Sequence, residues 1–218
     1  MVISEKSYQN NLAYVKGMFS LGGLSECGKT SAGLRLAELG VRRSKIIQIE
    51  REMMLERGYD ISDGMKDEHF VMLYATETEK VFREFLFRLI EKMKADGTQF
   101  ASIESLYRAE LGSFLKAELG ERMANIYIDA PVEVRAYREM LKVNAKAEQE
   151  GKTPVTLEEM IEKVSKKDIF KTSHNAQKVK DIADYIVDNS GSVTKEQFMS
   201  KIDDIAFAMG VKRSETHE

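Results

Sequence analysis

The sequence predicts an α/β fold in which a five-stranded parallel sheet has helices on both faces. Five short segments are rich in apolar and β-branched residues, and the stretches between them repeat apolar residues every three or four positions. A glycine-rich stretch joins the first strand to the helix after it. Strands that alternate with helices are typical of βαβ units, whose strands run parallel.

Each strand is predicted from its local pattern. Residues 13–21, "AYVKGMFSL", are apolar and partly aromatic and run directly into glycines, which indicates a buried strand that ends in a tight loop. The four later strands are predicted at residues 44–50, 99–103, 125–129 and 184–188.

Helices are predicted from apolar periodicity and from capping residues. The helix after the glycine-rich loop begins near Lys29 and ends at Gly40, because glycine commonly terminates a helix. Residues 82–93 carry apolar side chains at helical spacing and so form one buried face. Capping-box pairs precede two further helices, Thr156 with Glu159 and Thr194 with Gln197.

Composition favours one compact domain over residues 1–218. The chain is 43% hydrophobic and 32% charged with a formal net charge of -3, so no basic field for nucleic acid is expected. A polar N-terminus and the lack of a long apolar run predict no membrane association and a cytoplasmic location. One cysteine excludes an internal disulfide, and His69, His174 and His217 lack zinc-site spacing.

A phosphate-binding motif lies between the first strand and the next helix. Residues 23–30, "GLSECGKT", match G-x-x-x-x-G-K-[ST], in which loop N–H groups and a helix N-terminus converge on an anion. Lys29 is predicted to reach the β- and γ-phosphates of ATP, and Thr30 to place its hydroxyl on Mg²⁺. A glycine-rich turn with a solvated lysine is the alternative explanation.

The other loop residues are assigned to nucleotide binding as well. Cys27 has two interpretations, as a redox-sensitive thiol near a helix N-terminus or as a small residue tolerated in a tight loop. Beside Lys29 and Thr30, the predicted nucleotide-binding residues of this loop are Gly23, Ser25, Glu26, Cys27, Gly28 and Ser31.

Three segments together resemble the small-molecule kinases of the P-loop class, which include nucleoside monophosphate kinases and dephospho-coenzyme A kinase. They are "LGGLSECGKTSAG", "IYIDAPVEVRAYREM" and "DIADYIVDNSGS", and the likeness covers nearly the full chain. The resemblance implies a P-loop NTPase fold with a helical acceptor subdomain after the second strand and a lid after the fourth. Residues 51–97 and 145–178 are the corresponding segments here. The second segment is polar, and a solvated helical hairpin without function is its alternative interpretation.

Acidic residues at the carboxyl ends of the strands are candidates for the chemistry, because ligands of open α/β sheets collect there. By resemblance to dephospho-coenzyme A kinases, Glu50 is the candidate general base, oriented by Arg51. Glu104 is the candidate to hold Mg²⁺ through a water, as an acid at that strand end does in related kinases. Arg51 and Arg108 are candidate acceptor-binding residues. Each acid could instead cap a helix or pair with a surface cation.

Cations are expected to converge on a transferred phosphoryl group. Arg135 and Arg138 lie three residues apart and so share a helix face toward the lid; Arg138 is assigned to catalysis and Arg135 to acceptor binding. Asn189 and Gly191 resemble the loop beside the nucleotide base, although a plain turn explains them equally well. The predicted lid adds charges that could equally be solvated, at Lys163, Lys166, Lys167 and Lys171.

The favoured function is an ATP- and Mg²⁺-dependent phosphotransferase that acts on a small nucleoside-, nucleotide- or dephospho-coenzyme A-like acceptor. The stretch after the third strand, "IESLYRAELGSFLKAELG", lacks the acceptor signatures of adenylate kinases and dephospho-coenzyme A kinases, so the acceptor is left open. The alternative is a regulatory module that binds a nucleotide without turning over a metabolite. A scaffold with an inactive loop is less favoured, because Lys29 and Thr30 are intact. The oligomeric state is not predicted.

Overall fold

A computed structural model describes residues 3–64, 67–74, 77–173 and 176–212 of the chain. Five strands form one sheet, and their bounds are β1 Gly17–Gly22, β2 Arg42–Lys45, β3 Phe100–Leu106, β4 Met123–Asp129 and β5 Tyr185–Asp188. All paired strands run parallel, in the order β2-β3-β1-β4-β5. The predicted α/β fold with a five-stranded parallel sheet is confirmed.

Helices cover both faces of the sheet. One hydrophobic core joins the sheet to the first, third, fifth and sixth helices, and a second core joins the opposite face to the second and last helices. The helices described are α1 Glu5–Tyr14, α2 Lys29–Glu38, α3 Ile46–Glu56, α4 Asp67–Tyr74, α5 Thr78–Ala95, α6 Ala109–Leu119, α7 Val132–Gln149, α8 Leu157–Ser173, α9 Lys178–Asp181 and α10 Lys195–Ala208.

The central strand β1 explains why its sequence is apolar without clear alternation. Every residue of β1 is buried, because the strand lies between β3 and β4 and has helices on both faces. Met18 packs into one core and Phe19 into the other. The strand ends at the glycine-rich loop, which therefore emerges from the middle of the sheet at its carboxyl edge.

The second strand was predicted in the wrong place. Residues 44–50 were expected to be extended, but β2 ends at Lys45 and α3 begins at Ile46. The buried residues of α3 recur at helical spacing, and an apolar run as short as this one does not distinguish a strand from a buried helix by itself. They are Ile46, Ile49, Glu50, Met53 and Met54.

The first and third strands also have different bounds from those predicted. Residues 13–14 belong to the end of α1, which was not predicted, and β1 starts at Gly17. Strand β3 continues past the predicted end at residue 103 to Leu106. The pairing of β1 with β3 shifts register at this point, which leaves Ser105 in the left-handed region with φ 68°. Glu104 therefore lies inside a strand and not at its end.

The helix predictions fare better. The amphipathic pattern at residues 82–93 lies within α5, and its apolar side chains are buried. Thr194 and Gln197 form the predicted capping box of α10, and Thr156 and Glu159 exchange the corresponding bonds before α8. Within the described part of the chain, no helix has the length and apolar character needed to cross a bilayer.

Candidate functional site

The glycine-rich loop between β1 and α2 has a backbone that two of its glycines make possible. Gly23 and Gly28 have φ values of 127° and 115°, which residues with a side chain rarely adopt. A Cβ atom on Gly23 would collide with the carbonyl oxygen of Ile128 in β4, and one on Gly28 would lie 2.5 Å from the side-chain nitrogen of Asn189. The loop is therefore packed tightly between the sheet and the chain after β5.

A cavity of about 960 Å³ lies over this loop. Its walls come from the loop, from α7 and α8, from the segment after β5 and from the start of α10. The structure thus brings predicted nucleotide-binding residues from distant parts of the sequence to one cavity. They are Ser25, Glu26, Cys27, Gly28, Lys29, Thr30, Ser31 and Asn189, and Arg138, which was assigned to catalysis, lines the same cavity.

The charges around the cavity are strongly unbalanced. Among the described residues that line it, one is acidic, Glu26, whereas the chain as a whole is slightly acidic. Such a surplus of positive charge in a concave site attracts anions. The six cationic residues are Lys29, Arg138, Lys142, Lys167, Lys171 and Lys195.

Lys29 lies over the loop and is buried. Its Nζ donates hydrogen bonds to the carbonyl oxygens of Gly23, at 2.8 Å, and Leu24, at 2.5 Å. Lys171 of α8 lies beside it, and burial together with the positive charge of Lys29 lowers the pKa of Lys171 to about 8. Two ammonium groups thus share one part of the cavity, where a polyanion would relieve their repulsion.

The neutral polar groups of the loop also suit a ligand that bears phosphate. The hydroxyl of Ser25 is buried and has no hydrogen-bond partner among the described residues, although buried hydroxyl groups are usually bonded. Thr30 and Ser31, at the start of α2, are exposed to the cavity. A ligand with several acceptor oxygens would satisfy these donors.

Within the described residues, no cluster of three His, Cys, Asp or Glu side chains could hold a metal ion. Magnesium bound with a nucleotide commonly takes one or two protein ligands and keeps several waters, and the exposed hydroxyl of Thr30 fits that need. His69 is buried, and His174 and His217 lie outside the described residues.

Arg138 and Asn189 connect the loop to the end of the sheet. Arg138 donates to the carbonyl oxygen of Asn189 at 2.9 Å and to that of Ser190 at 3.3 Å. The side chain of Asn189 donates to the carbonyl oxygen of Cys27 at 2.8 Å. Gly191 is exposed and does not line the cavity.

Arg135 does not lie where an acceptor-binding residue was expected. It is 3% exposed, and its guanidinium donates to the carbonyl oxygens of Ala130, at 2.9 Å, and Ser25, at 2.7 Å. It also pairs with Asp168 of α8 at 2.7 Å. These contacts hold the backbone of the loop at Ser25, so the position of Arg135 supports a structural role there.

Glu50, the candidate base, lies in a buried group of side chains apart from the cavity. This Glu50 cluster consists of Glu50, Tyr74, Tyr107 and Arg108. The carboxylate of Glu50 is fully buried and accepts hydrogen bonds from the hydroxyls of Tyr74 at 2.5 Å and Tyr107 at 2.9 Å. Burial raises the pKa of Glu50, and these hydrogen bonds and the charge of Arg108 offset part of that effect.

The position of Glu50 corrects the argument that singled it out. It was expected at the end of a strand, where ligands collect, but it lies in the second turn of α3 and faces the core. Arg51 is exposed, and adjacent residues of a helix do not face each other, so Arg51 does not orient Glu50. Arg108 stacks on the ring of Tyr74 at 4.2 Å. None of these residues lines the cavity.

The carboxylate of Glu104 forms an ion pair with Arg43. Arg43 of β2 binds both of its carboxylate oxygens, one of them at 3.0 Å, and the carboxylate packs against Gly33 of α2. Its neighbour Ser105 is exposed and lines the cavity. The register shift in β3 thus turns Ser105 toward the cavity, while Glu104 remains 2% exposed.

Several residues that line the cavity were not predicted from the sequence. Lys195, Phe198 and Met199 share one face of α10, a spacing that would have indicated a common direction. Leu141 and Lys142 extend the face of α7 that begins with Arg138. Of the predicted lid lysines, Lys167 and Lys171 line the cavity, whereas Lys163 and Lys166 do not. No sequence pattern indicated a role for Asp168, because its partners come from segments far apart in the chain.

Comparison with known proteins supports the fold. No family model and no curated protein matches the chain. It is similar to the solved structure of TT1252 from Thermus thermophilus, with 14% identity over 90% of this chain and 98% of that one and a TM-score of 0.52. An uncharacterized protein from Eubacterium ventriosum is similar at 13% identity over 90% and 99% of the two chains, with a TM-score of 0.51.

A weaker similarity is to a shikimate kinase from Bacteroides thetaiotaomicron, with 14% identity over 88% of this chain and 98% of that one and a TM-score of 0.45. This similarity is too low to support an argument about activity. The comparisons therefore support the α/β fold alone.

Proposed function

We propose that this protein is an ATP-dependent phosphotransferase that transfers the γ-phosphoryl group to a small acceptor bearing a hydroxyl or phosphate group. The observation that carries the proposal is the cavity over the glycine-rich loop, in which six cationic residues face one carboxylate. A triphosphate is the common ligand that matches both this charge and a loop of the G-x-x-x-x-G-K-[ST] type.

The residues of the cavity would act mainly by position and charge. Phosphoryl transfer requires little covalent help from a protein, so cations that converge on the phosphates account for most of the catalysis. Lys29 and Lys171 lie together above the loop and would neutralise the transferred group. Phe198 and Met199 offer an apolar wall for the base, close to Arg138 and Asn189.

Magnesium fits this proposal through Thr30. When bound with a nucleotide, Mg²⁺ supplies additional positive charge at the phosphate oxygens. Thr30 would hold it by its hydroxyl, which is exposed at the start of α2. Glu104 is a weaker candidate than its sequence position suggested, because Arg43 already binds its carboxylate.

The proposal assigns the acceptor subdomain to residues 51–97 and the lid to residues 145–178. Helix α8, in the second segment, lies against the cavity and supplies Lys167 and Lys171 to it. Ser105 is the lining residue that comes from β3, so the wall between β3 and the loop is where an acceptor would approach.

One observation favours a second candidate function. Glu50, Arg51, Arg108 and Arg135, which were predicted to activate or bind an acceptor, do not line the cavity. A regulatory module that binds a nucleotide without turnover needs no acceptor residues. The phosphotransferase remains the first proposal, because several cations converge where phosphate would lie.

The two candidates differ in acceptor-dependent turnover. ATP binding would be measured by calorimetry with Mg²⁺, and ADP formation would be measured with pooled nucleosides, nucleotides and dephospho-coenzyme A. Lys29→Ala should weaken ATP binding about 100-fold, because a charge-assisted contact to phosphate is lost. Lys6→Ala is the matched control, since Lys6 is exposed on α1 away from the cavity.

Acceptor-dependent ADP formation that disappears in Lys29→Ala would support the phosphotransferase. Tight binding of ATP without turnover for any acceptor would support the regulatory module. If ATP binds equally well to the wild type and to Lys29→Ala, both proposals are wrong.

A further inference from the structure

Helix α8 contacts the glycine-rich loop through charged side chains on one face. Lys167 pairs with Glu26 of the loop at 2.9 Å. Asp168 accepts a hydrogen bond from the backbone N–H of Ser25 at 2.8 Å. Lys171 lies one turn further along the helix, beside Lys29. The loop, whose N–H groups suit an anion, thus already holds one anion supplied by the chain.

Asp168 and Arg135 together bind both backbone groups of Ser25. One carboxylate oxygen of Asp168 accepts from the N–H of Ser25, and the other accepts from Arg135 at 2.7 Å. The same nitrogen of Arg135 donates to the carbonyl oxygen of Ser25 at 2.7 Å. Three segments that are far apart in the sequence therefore meet at one loop residue.

Burial raises the free-energy cost of breaking the contact between Asp168 and Arg135. Asp168 is 8% exposed and Arg135 is 3% exposed. A buried ion pair is costly to break from one side, since the remaining charge lacks a partner. The contact between α8 and α7 that brings Asp168 into place is a small core of Ala136, Met160 and Val164. These residues keep the helix in register with the loop.

We propose that Asp168 is a positioning residue that occupies the place of a phosphate, so that helix α8 and the loop are held together until an anionic ligand takes over the N–H of Ser25. Arg135 links Asp168 to the loop and is the second part of this contact. The inference rests on the proposed nucleotide site for its functional meaning. Its structural part concerns the unliganded protein and can be tested without nucleotide.

The first test uses Cys27 as a reporter. Cys27 is the single cysteine of the sequence and is 1% exposed within the loop, so its alkylation by N-ethylmaleimide reports loosening there. Asp168→Asn removes the charge and preserves the shape of the side chain. Without ligand, Cys27 of this variant should be alkylated about tenfold faster than Cys27 of the wild type. The reason is that the charge-assisted hydrogen bond that holds α8 to the loop is weakened. Arg135→Lys is a second variant with the same expectation.

The matched control is Glu162→Gln. It removes one negative charge from the same helix, but Glu162 pairs with exposed Lys166 and does not touch the loop. Its Cys27 should react as slowly as that of the wild type. A cooperative thermal transition for each variant, and a reaction rate well below that of the urea-denatured chain, would show that the variants are folded.

The second test measures the affinity for inorganic tripolyphosphate. Loss of a competing carboxylate should make Asp168→Asn bind tripolyphosphate about tenfold more tightly, a change that simple destabilisation of the protein would not produce. Faster alkylation together with tighter binding supports the proposal. Alkylation no faster than in the wild type for both variants, or weaker binding of tripolyphosphate by Asp168→Asn, overturns it.

The outcomes for this proposal and for the proposed function can be separated. If neither ATP nor tripolyphosphate binds the wild type, the proposed function fails, whereas the alkylation rates still decide whether Asp168 holds α8 to the loop. If ATP is bound and turned over but the alkylation rates do not change, the function stands and the role of Asp168 is wrong.

Discussion

The cavity over the glycine-rich loop and the Glu50 cluster differ in how their charges are satisfied. Of the described residues that line the cavity, six are cationic and one is acidic, and in this part of the chain the hydroxyl of Ser25 lacks a partner. In the Glu50 cluster, two tyrosine hydroxyls already bond the buried carboxylate, and Arg108 lies close by. The first region has unmet capacity for an anion. In the second region the carboxylate is fully bonded, although Nε of Arg108 is buried and has no hydrogen-bond partner among the described residues.

This difference shows which predictions of a site residue are robust. The loop is a contiguous motif, and a strand before it and a helix after it suffice to orient its N–H groups. The role of Glu50 depended on where a strand ends, and a shift of five residues moved it into a helix and into the core. Predictions that depend on an element boundary therefore fail more easily than those that depend on a motif.

The largest expected effect comes from a change at the base of the loop. Gly23→Ala should lower the free energy of unfolding by about 3 kcal/mol or more and abolish ATP binding, because the new methyl group meets a strand carbonyl and the φ value is unfavourable. Urea denaturation measures the change. Gly40→Ala has the unfavourable φ without a nearby atom and should lose about 1 kcal/mol. Equal losses in both would mean that the contact with Ile128 is unimportant.

A smaller effect is expected at Lys171. Lys171→Met should weaken tripolyphosphate binding about tenfold at pH 7, where most of the wild-type side chain is charged. As the pH rises above 8, Lys171 loses its proton and the wild type should approach the variant. The charged and titratable groups that face Lys171 are Glu26, Cys27, Lys29 and Asp168.

Calorimetry from pH 6.5 to 9.5, a range of about 3 pH units around the expected pKa, would follow this change. Parallel curves for the two proteins would show that Lys171 does not contribute charge to anion binding. Lys163→Met is the control, because Lys163 is exposed on the same helix and does not line the cavity.

Glu50→Gln tests whether the buried carboxylate of the Glu50 cluster is held as its hydrogen bonds indicate. The pKa of Glu50 is raised in the folded protein, so the folded state binds more protons than the unfolded state just above pH 4.5. Wild-type stability should therefore fall as the pH rises through that window, and the variant should lack this contribution. Between pH 4.5 and pH 7 the wild type should therefore lose more stability than the variant does.

ATP affinity should be unchanged in Glu50→Gln, because Glu50 does not line the cavity. Denaturation at several pH values and a calorimetric titration provide both measurements. If turnover instead falls about 100-fold with stability unchanged, the cluster opens during the reaction and Glu50 acts as the base.

The smallest expected effect is at Ser105. Its φ of 68° is unfavourable for serine, so Ser105→Gly should raise the free energy of unfolding by about 0.5 to 1 kcal/mol. Ser105→Ala keeps the unfavourable φ value and should not raise the free energy of unfolding. Chemical denaturation of the two variants decides whether the register shift in β3 stores strain at the wall of the cavity.

The sequence determined the architecture and the loop. Alternating apolar strands and amphipathic helices predicted the parallel sheet, since local hydrophobic periodicity is set by which face of each element is buried. The motif at residues 23–30 carries its own geometry, and its glycines occupy positions that tolerate no side chain. The capping boxes of α8 and α10 are equally local.

The tertiary structure alone decided which side chains meet. Asp168, Arg135 and Ser25 are separated by up to 143 residues, and no pattern along the chain records that they share one contact. The same is true of Glu50 with Tyr107, and of Glu104 with Arg43. Hydrogen bonds and ion pairs of this kind act over a few ångströms, so they depend on how helices pack on the sheet and not on local propensity.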